Sequence, residues 1–257
     1  MPRRIKVLLL ALLLVSALGA CALRSTPSVA LPGRSDNGPV KPVAKPDPPA
    51  PSPDTTYIRE DGRVMVADTD SILVLVNKNR NLPADFVPKD LVRVNALFPF
   101  DGDQPRMYLR REAARALEEL IAAARTRGLE LYAISGYRSY ETQAAIFAAN
   151  ADKVGEETAN MTSARAGQSE HQTGLAMDLT SPLVRFKLVE SFGATAEGVW
   201  LAENAHHFGF IVRYPKGKEH ITGYSYEPWH VRYIGSEAAN LIFSRGLTLE
   251  EHILLRD

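Results

Sequence analysis

The stretch SEHQTGLAMDLT, residues 169–180, is the hinge of this chain. From Leu175 to Thr180 apolar and polar residues alternate around Asp178, the period-two pattern of a half-buried strand. His171 precedes that strand and Asp178 projects from it. Gly174 stands between them, and a glycine-containing turn lets an imidazole and a carboxylate point at one ion.

Working outward, residues 71–77 (SILVLVN) form an apolar run of strand length. Residues 108–127 predict a helix. Leu109, Ala113, Ala116, Leu117, Leu120, Ile121 and Ala124 recur at helical spacing, and Gly128 takes the place of a C′ residue. Residues 129–134 predict a strand. Residues 140–152 predict a helix that Ser139 can cap. Residues 197–208 predict another, ending at Gly209. Strands are expected at 210–213 and 230–234, and closing helices at 236–245 and 249–255. Thr248 and Glu251 fit a capping box for the last. Helices and strands mix without a βαβ rhythm, so the expected class is α+β, an antiparallel sheet flanked by helices.

Residues 55–257 contain no second linker and no repeat, and read as one domain. Residues 22–54 have another character. Nine of the 17 prolines fall between Pro27 and Pro53, with few large apolar residues. Such a segment cannot bury enough surface to offset its ordering entropy and reads as a disordered, extended tether. Ahead of it, Arg3, Arg4 and Lys6 precede the apolar run VLLLALLLVSAL, residues 7–18. That run is short of the roughly 20 residues that span a bilayer and matches a signal-peptide core. It leads into LGAC, residues 18–21, which resembles a bacterial lipobox, and Cys21 is the only cysteine of the chain. Residues 1–21 are therefore expected to be a lipoprotein signal with Cys21 as the lipidated residue. Localisation is then extracytoplasmic, on a bacterial membrane, with the following domain held off it.

Composition narrows function by exclusion. Thirty basic residues against 30 acidic give no net charge, which argues against a nucleic-acid binder that works by bulk charge. One cysteine excludes a disulfide framework or a Cys-rich metal module. No phosphate-binding glycine loop occurs, so nucleotide binding has no support. No Ser-x-x-Lys motif, glycine-flanked nucleophile elbow or HExxH helix occurs either.

Two histidines lie in unusual surroundings. His171 belongs to the opening stretch, and His230 to EPWHVRY, residues 227–233. A hydrolytic zinc site takes three imidazole or carboxylate ligands and keeps one position open. His171, Asp178 and His230 supply that set, for one zinc per chain. Glu227 is the candidate general base. Residues three apart on a flat strand face opposite ways, so Glu227 and His230 can meet only if the backbone deviates near Pro228. The competing reading of each histidine alone is a satisfied core residue. Arg138, in SGYRSYETQ at residues 135–143, is a bidentate donor for carboxylates where a strand turns into a helix. Alone it also fits a surface arginine in a tight turn.

Taken together, SGYRSYETQ, SEHQTGLAMDL and EPWHVRYIG resemble the VanY-like zinc D-alanyl-D-alanine carboxypeptidases. Residues 75–91 and 200–226 add to the resemblance, which covers about 70–245. It implies the fold shared with the Hedgehog signalling domain, with His171, Asp178 and His230 as zinc ligands and Glu227 as base. It places Arg138 on the substrate and the developing oxyanion. Ser169 and Gln143 match positions that contact the peptide end, and Tyr137, beside Arg138, is expected there as well. The implied activity is metallo-carboxypeptidase removal of the C-terminal D-Ala from peptidoglycan stem peptides, of D,D or L,D type. Two alternatives stand beside it: an endopeptidase of the same fold, and a non-catalytic, metal-stabilised wall-binding module. The latter would have no need of Glu227.

Overall fold

The computed structural model describes residues 55–255, so the leader, Cys21 and the proline-rich segment lie outside the described residues. Two antiparallel strand pairs come first: β1 (Thr56–Ile58) with β2 (Val64–Val66), and β3 (Leu91–Arg93) with β4 (Tyr108–Arg110). Helix α1 (Arg111–Thr126) leads into β5 (Tyr132–Ser135). Next come α2 (Tyr140–Val154), α3 (Glu156–Thr162), β6 (Ala176–Thr180) and α4 (Ala196–Asn204). The chain ends with β7 (Phe210–Tyr214), the one-turn α5 (Glu219–Thr222), β8 (Glu227–Tyr233), α6 (Ser236–Arg245) and α7 (Leu249–Leu254). The central sheet runs β5-β6-β8-β7, antiparallel at every step. The expected α+β class holds.

Strand alternation gives this sheet two unlike faces. Ala133, Met177, Leu179, Phe210, Val231 and Tyr233 join the main hydrophobic core. Against them lies the stripe Ala113, Leu117, Leu120, Ile121 and Ala124 of α1. Each fully buried large aliphatic side chain contributes about 1.5–3 kcal/mol. The intervening strand residues, Asp178, His230, Arg232 and Arg213, are polar and yet buried. The opposite face is therefore covered too, and β6 is buried at all five positions rather than half-buried as its alternation suggested. A second apolar cluster, including Leu75, Ile211, Ile242, Leu249 and Ile253, packs α6 and α7 onto the molecule.

Several local expectations hold. Ser139 Oγ accepts from Thr142 N at the start of α2, and the Thr248/Glu251 capping box is complete. Gly128, with φ +74°, follows the C-cap of α1. Two expectations fail for identifiable reasons. Residues 108–110 are strand rather than helix, because Leu109 pairs with Val92 across β3–β4. Residues 71–77 form no strand. The carbonyls of Ile72 and Val74 instead accept from the Arg232 guanidinium, at 2.9 and 2.8 Å, so the run is buried without a neighbouring ladder.

Candidate metal centre and active-site cleft

The β6–β8 register makes Asp178 and His230 direct cross-strand partners. Side chains so paired leave the same face about 4.5–5.5 Å apart at Cβ. His171 reaches them from a single 3₁₀ turn, Glu170–Thr173, closed by Gly174 in the left-handed region at φ +66°. The backbone angle calls for glycine, and a Cβ there would also press on Leu91 Cδ2 at 2.8 Å, so that side chain would have to shift.

The three side chains converge. His171 Nε2 lies 3.4 Å from Asp178 Oδ2, and His230 Nδ1 lies 3.1 Å from Asp178 Oδ1. One ligand atom from each residue falls within 4.8 Å of the other two. Tetrahedral zinc with bonds of about 2.0–2.1 Å spaces its ligands about 3.3 Å apart; the donor set fits zinc, and each imidazole stands at that spacing from one of the two Asp178 oxygens. His171 Nδ1 is 2.8 Å from the Gly136 carbonyl, which can only accept, so the proton belongs on Nδ1 and the Nε2 lone pair faces the cluster.

Protonation follows from burial and neighbours. Burial pushes His171 down, towards the neutral form that a ligand needs. Burial also disfavours charge on His230, but hydrogen bonds to Asp178 and Glu170 outweigh it and push this imidazole up to about 9. Burial would raise Asp178, yet the two histidines hold its carboxyl well below the usual range. Such a cluster attracts a cation.

Glu227 Oε2 lies 3.9 Å from His230 Nδ1. The deviation expected near Pro228 is a register irregularity: Val212 pairs with Val231, but Tyr214 pairs with Glu227. β8 spends two more residues than β7 between these pairs, so regular alternation breaks here, and the Glu227 carboxylate comes to the neighbourhood of His230. Burial is the main cause that pushes Glu227 up to about 7.

A cleft of about 500 Å³ opens over this group, and Arg138, Gln143, Ser169, Glu227 and Trp229 line it. Arg138 is held by its neighbours: Nη1 donates to Gln143 Oε1 at 2.7 Å and Nη2 to Ser135 Oγ at 2.9 Å. Nη2 also stands 4.0 Å from Asp178 Oδ2. Gln143 spends its other end on the Ala164 carbonyl, 2.6 Å away. Its amide therefore orients Arg138, and it also lines the cleft where the sequence predicts contact with the peptide end. Tyr137, expected at the peptide end, is not among the residues that line this cleft. It lines a separate depression with Leu91, Asp103 and Tyr108, because its backbone N–H donates to the Tyr108 carbonyl and commits it to that side.

Sequence reading missed Ser135, the Gly136 carbonyl, Glu170, Arg213 and Arg232. The two arginines carried a signal. An arginine inside the apolar strands FIVRY and HVRY must be paired if both faces are covered. The Gly136 carbonyl carried none, because any residue supplies one.

Comparison with known proteins gives a consistent result. The family model described as "VanY: D-alanyl-D-alanine carboxypeptidase" matches residues 106–236. The chain is 48% identical over 192 residues to YodJ of Bacillus subtilis (strain 168), covering 75% of this chain and 70% of that protein. The solved LdcB LD-carboxypeptidase superposes with a TM-score of 0.74 at 47% identity, covering 77% of this chain and 94% of that one. A variant of the vancomycin-resistance D,D-pentapeptidase VanY, solved in complex with Zn(II), superposes with a TM-score of 0.59 at 34% identity, covering 70% and 98%.

Proposed function

This chain belongs to the VanY family of D-alanyl-D-alanine carboxypeptidases, and on that premise we propose that it removes the C-terminal D-Ala of peptidoglycan stem peptides in this cleft. It is a zinc carboxypeptidase by family. The observation that carries the assignment of residues is the convergence of His171, Asp178 and His230 with Glu227 3.9 Å from the metal-facing nitrogen.

His171, Asp178 and His230 would hold the ion. Zinc bound there supplies Lewis acidity, which polarises the scissile carbonyl and lowers the pKa of a water from 15.7 to about 7. Glu227 accepts the proton of the attacking water on its carboxylate and delivers it to the nitrogen of the departing D-Ala. A carboxyl raised to about 7 can do both near neutral pH. Arg138, its guanidinium fixed by Gln143 and Ser135, presents its remaining N–H groups to the substrate carboxylate and the developing oxyanion. Ser169 lines the same cleft, which supports its contact with the peptide end.

Incubation with tetrapeptide and pentapeptide stems, with products weighed by mass spectrometry, tests this. Release of D-Ala from the pentapeptide marks D,D activity, and release from the tetrapeptide marks L,D activity. Both should stop with chelator and return with zinc. Internal cleavage, or hydrolysis that chelator leaves untouched, would refute the reading.

The location is proposed from the N-terminus. Arg3, Arg4, Lys6, the apolar run 7–18 and a lone Cys21 after Leu18, Gly19 and Ala20 support lipidation of Cys21. The chain from residue 22 to 54 would then tether the enzyme within reach of the wall. Mass spectrometry of the mature protein should find a diacylated Cys21 at its N-terminus. An unmodified Cys21 still joined to Ala20 would contradict the anchor.

A further inference from the structure

Behind the metal-facing cluster lies a buried ionic network that the catalytic scheme leaves unused. Arg213 and Arg232 are 0% exposed. Glu170 Oε1 accepts from Arg213 Nε and from Arg232 Nη1, each at 2.7 Å. The other two nitrogens of Arg213 donate to both oxygens of Glu250, at 2.9 and 2.6 Å. Arg232 spends Nε on the Tyr233 carbonyl and Nη2 on the Ile72 and Val74 carbonyls. Both guanidinium groups are thus committed, and Glu170 Oε1 is taken by the pair of them. Glu170 Oε2 remains, and its partner among the described residues is His230 Nε2 at 3.4 Å.

We propose that Glu170 is a positioning residue for the metal centre: its Oε2 holds the His230 proton on Nε2, so that the Nδ1 lone pair is left for the ion. This rests on the metal-site reading above. The argument is one of donors and acceptors. An imidazole with one proton carries it on Nδ1 or on Nε2, and an acceptor facing one nitrogen decides which. Both nitrogens of His230 face a carboxylate oxygen, which can only accept: Nδ1 faces Asp178 Oδ1 at 3.1 Å and Nε2 faces Glu170 Oε2 at 3.4 Å. An ion taken up by Asp178 and Nδ1 displaces the proton between them, and Glu170 is then the acceptor that holds the remaining proton on Nε2. Nδ1 is the nitrogen that faces Asp178, and a proton there would compete with a metal ion. The arginines make the choice rigid. With Oε1 pinned by two guanidinium groups, the Glu170 side chain cannot turn away from His230. Glu170 therefore plays for His230 the part that the Gly136 carbonyl plays for His171.

Glu170→Gln tests the inference sharply. The single amide oxygen will serve the two arginines, which leaves the NH₂ group facing His230 Nε2. A donor there demands a lone pair on Nε2 and moves the proton to Nδ1, against the metal. Zinc affinity, measured by competition with a chromogenic chelator and zinc alone, is expected to fall about 10–100-fold, the size of effect seen when a ligand's outer partner is lost. Glu250→Gln is the control. It strips charge from the same network on the far side of Arg213 and does not touch His230, so its zinc affinity should stay within about twofold of the parent, the scatter expected of a change with no contact to the ligand. Should Glu170→Gln fail to fold, long-range ¹H–¹⁵N spectra of the zinc-loaded parent carry the test, with the proton expected on His230 Nε2. Parent affinity in Glu170→Gln, an equal loss in Glu250→Gln, or a zinc-loaded His230 protonated on Nδ1 would each overturn it. A parent that binds no zinc would instead overturn the metal-site reading itself.

Discussion

At the scale of single residues, the cleft separates groups that hold the ion from groups that move protons or stabilise charge. Glu227 is close to the cluster but is not among the three convergent ligands. Glu227→Gln keeps the shape and removes the base, so kcat should fall by about 10²–10⁴-fold while zinc content stays at one per chain. Zinc lost along with activity would recast Glu227 as a ligand. Arg138→Ala should lower kcat/KM by about 10²–10³-fold, the usual cost of an oxyanion donor. Arg138→Lys should recover little, because a lysine cannot reproduce the fork held between Gln143 and Ser135. Full activity in the lysine variant would show that only the charge matters.

At the scale of elements, the site depends on backbone irregularities more than on regular structure. The register irregularity between β7 and β8 accompanies the approach of Glu227 to His230, and a second irregularity in β5, between Ala133 and Ser135, sets Ser135 opposite Asp178. The loop after β5 brings the Gly136 carbonyl to His171, and it can do so only because residue 136 lacks a Cβ. One added there would meet the Tyr108 carbonyl oxygen at 2.5 Å and Met177 Cε at 2.9 Å. Gly136→Ala should therefore cost about 1–3 kcal/mol, as forced insertion into a packed interior does. Because the displaced carbonyl is the acceptor for His171, zinc affinity should drop as well. Urea melts with and without zinc would check both, and unchanged stability would mean that the loop has room the structure does not show.

At the scale of the whole molecule, ion and fold are linked. Ligands drawn from a 3₁₀ turn and two strands are tied together by anything that binds all three, so zinc should stabilise the domain by about 4 kcal/mol at a thousandfold excess over its Kd. Chelator should lower Tm accordingly, and an unmoved Tm would argue against a site made of these elements. Acid should act through the network beneath. Burial alone would raise the Glu170 carboxyl, but Arg213 and Arg232 outweigh it and hold the group well below the usual carboxylate range. The unfolded chain takes up that proton near about pH 4.3, so this stabilisation is complete above that pH and is lost as pH falls towards the folded value. Denaturant midpoints recorded in chelator from about pH 6 to pH 3 should decline through the lower half of that range. A flat profile would contradict a buried, ionised Glu170.

Much of this was legible in the amino-acid order, because it rests on local rules. Periodicity marked most helices and strands, the Thr248/Glu251 pair marked a cap, and His171, Asp178, Glu227 and His230 are chemically conspicuous residue types in unusual settings. The run at 71–77 misled because periodicity counts apolar residues and cannot see that the carbonyls of that run answer an arginine 158 to 160 positions away. Tyr137 lines another depression, because adjacency to Arg138 says nothing about which side of a turn a ring takes. The sequence by itself determined which atoms could bind a cation or carry a proton. Only the tertiary structure decided which of them meet: that Asp178 faces His230 in register, that Glu227 comes within 3.9 Å of that imidazole, and that Gln143 holds Arg138. Those facts depend on strand pairing and close packing between residues far apart in the chain, where the free energy belongs to the contact and to neither partner alone.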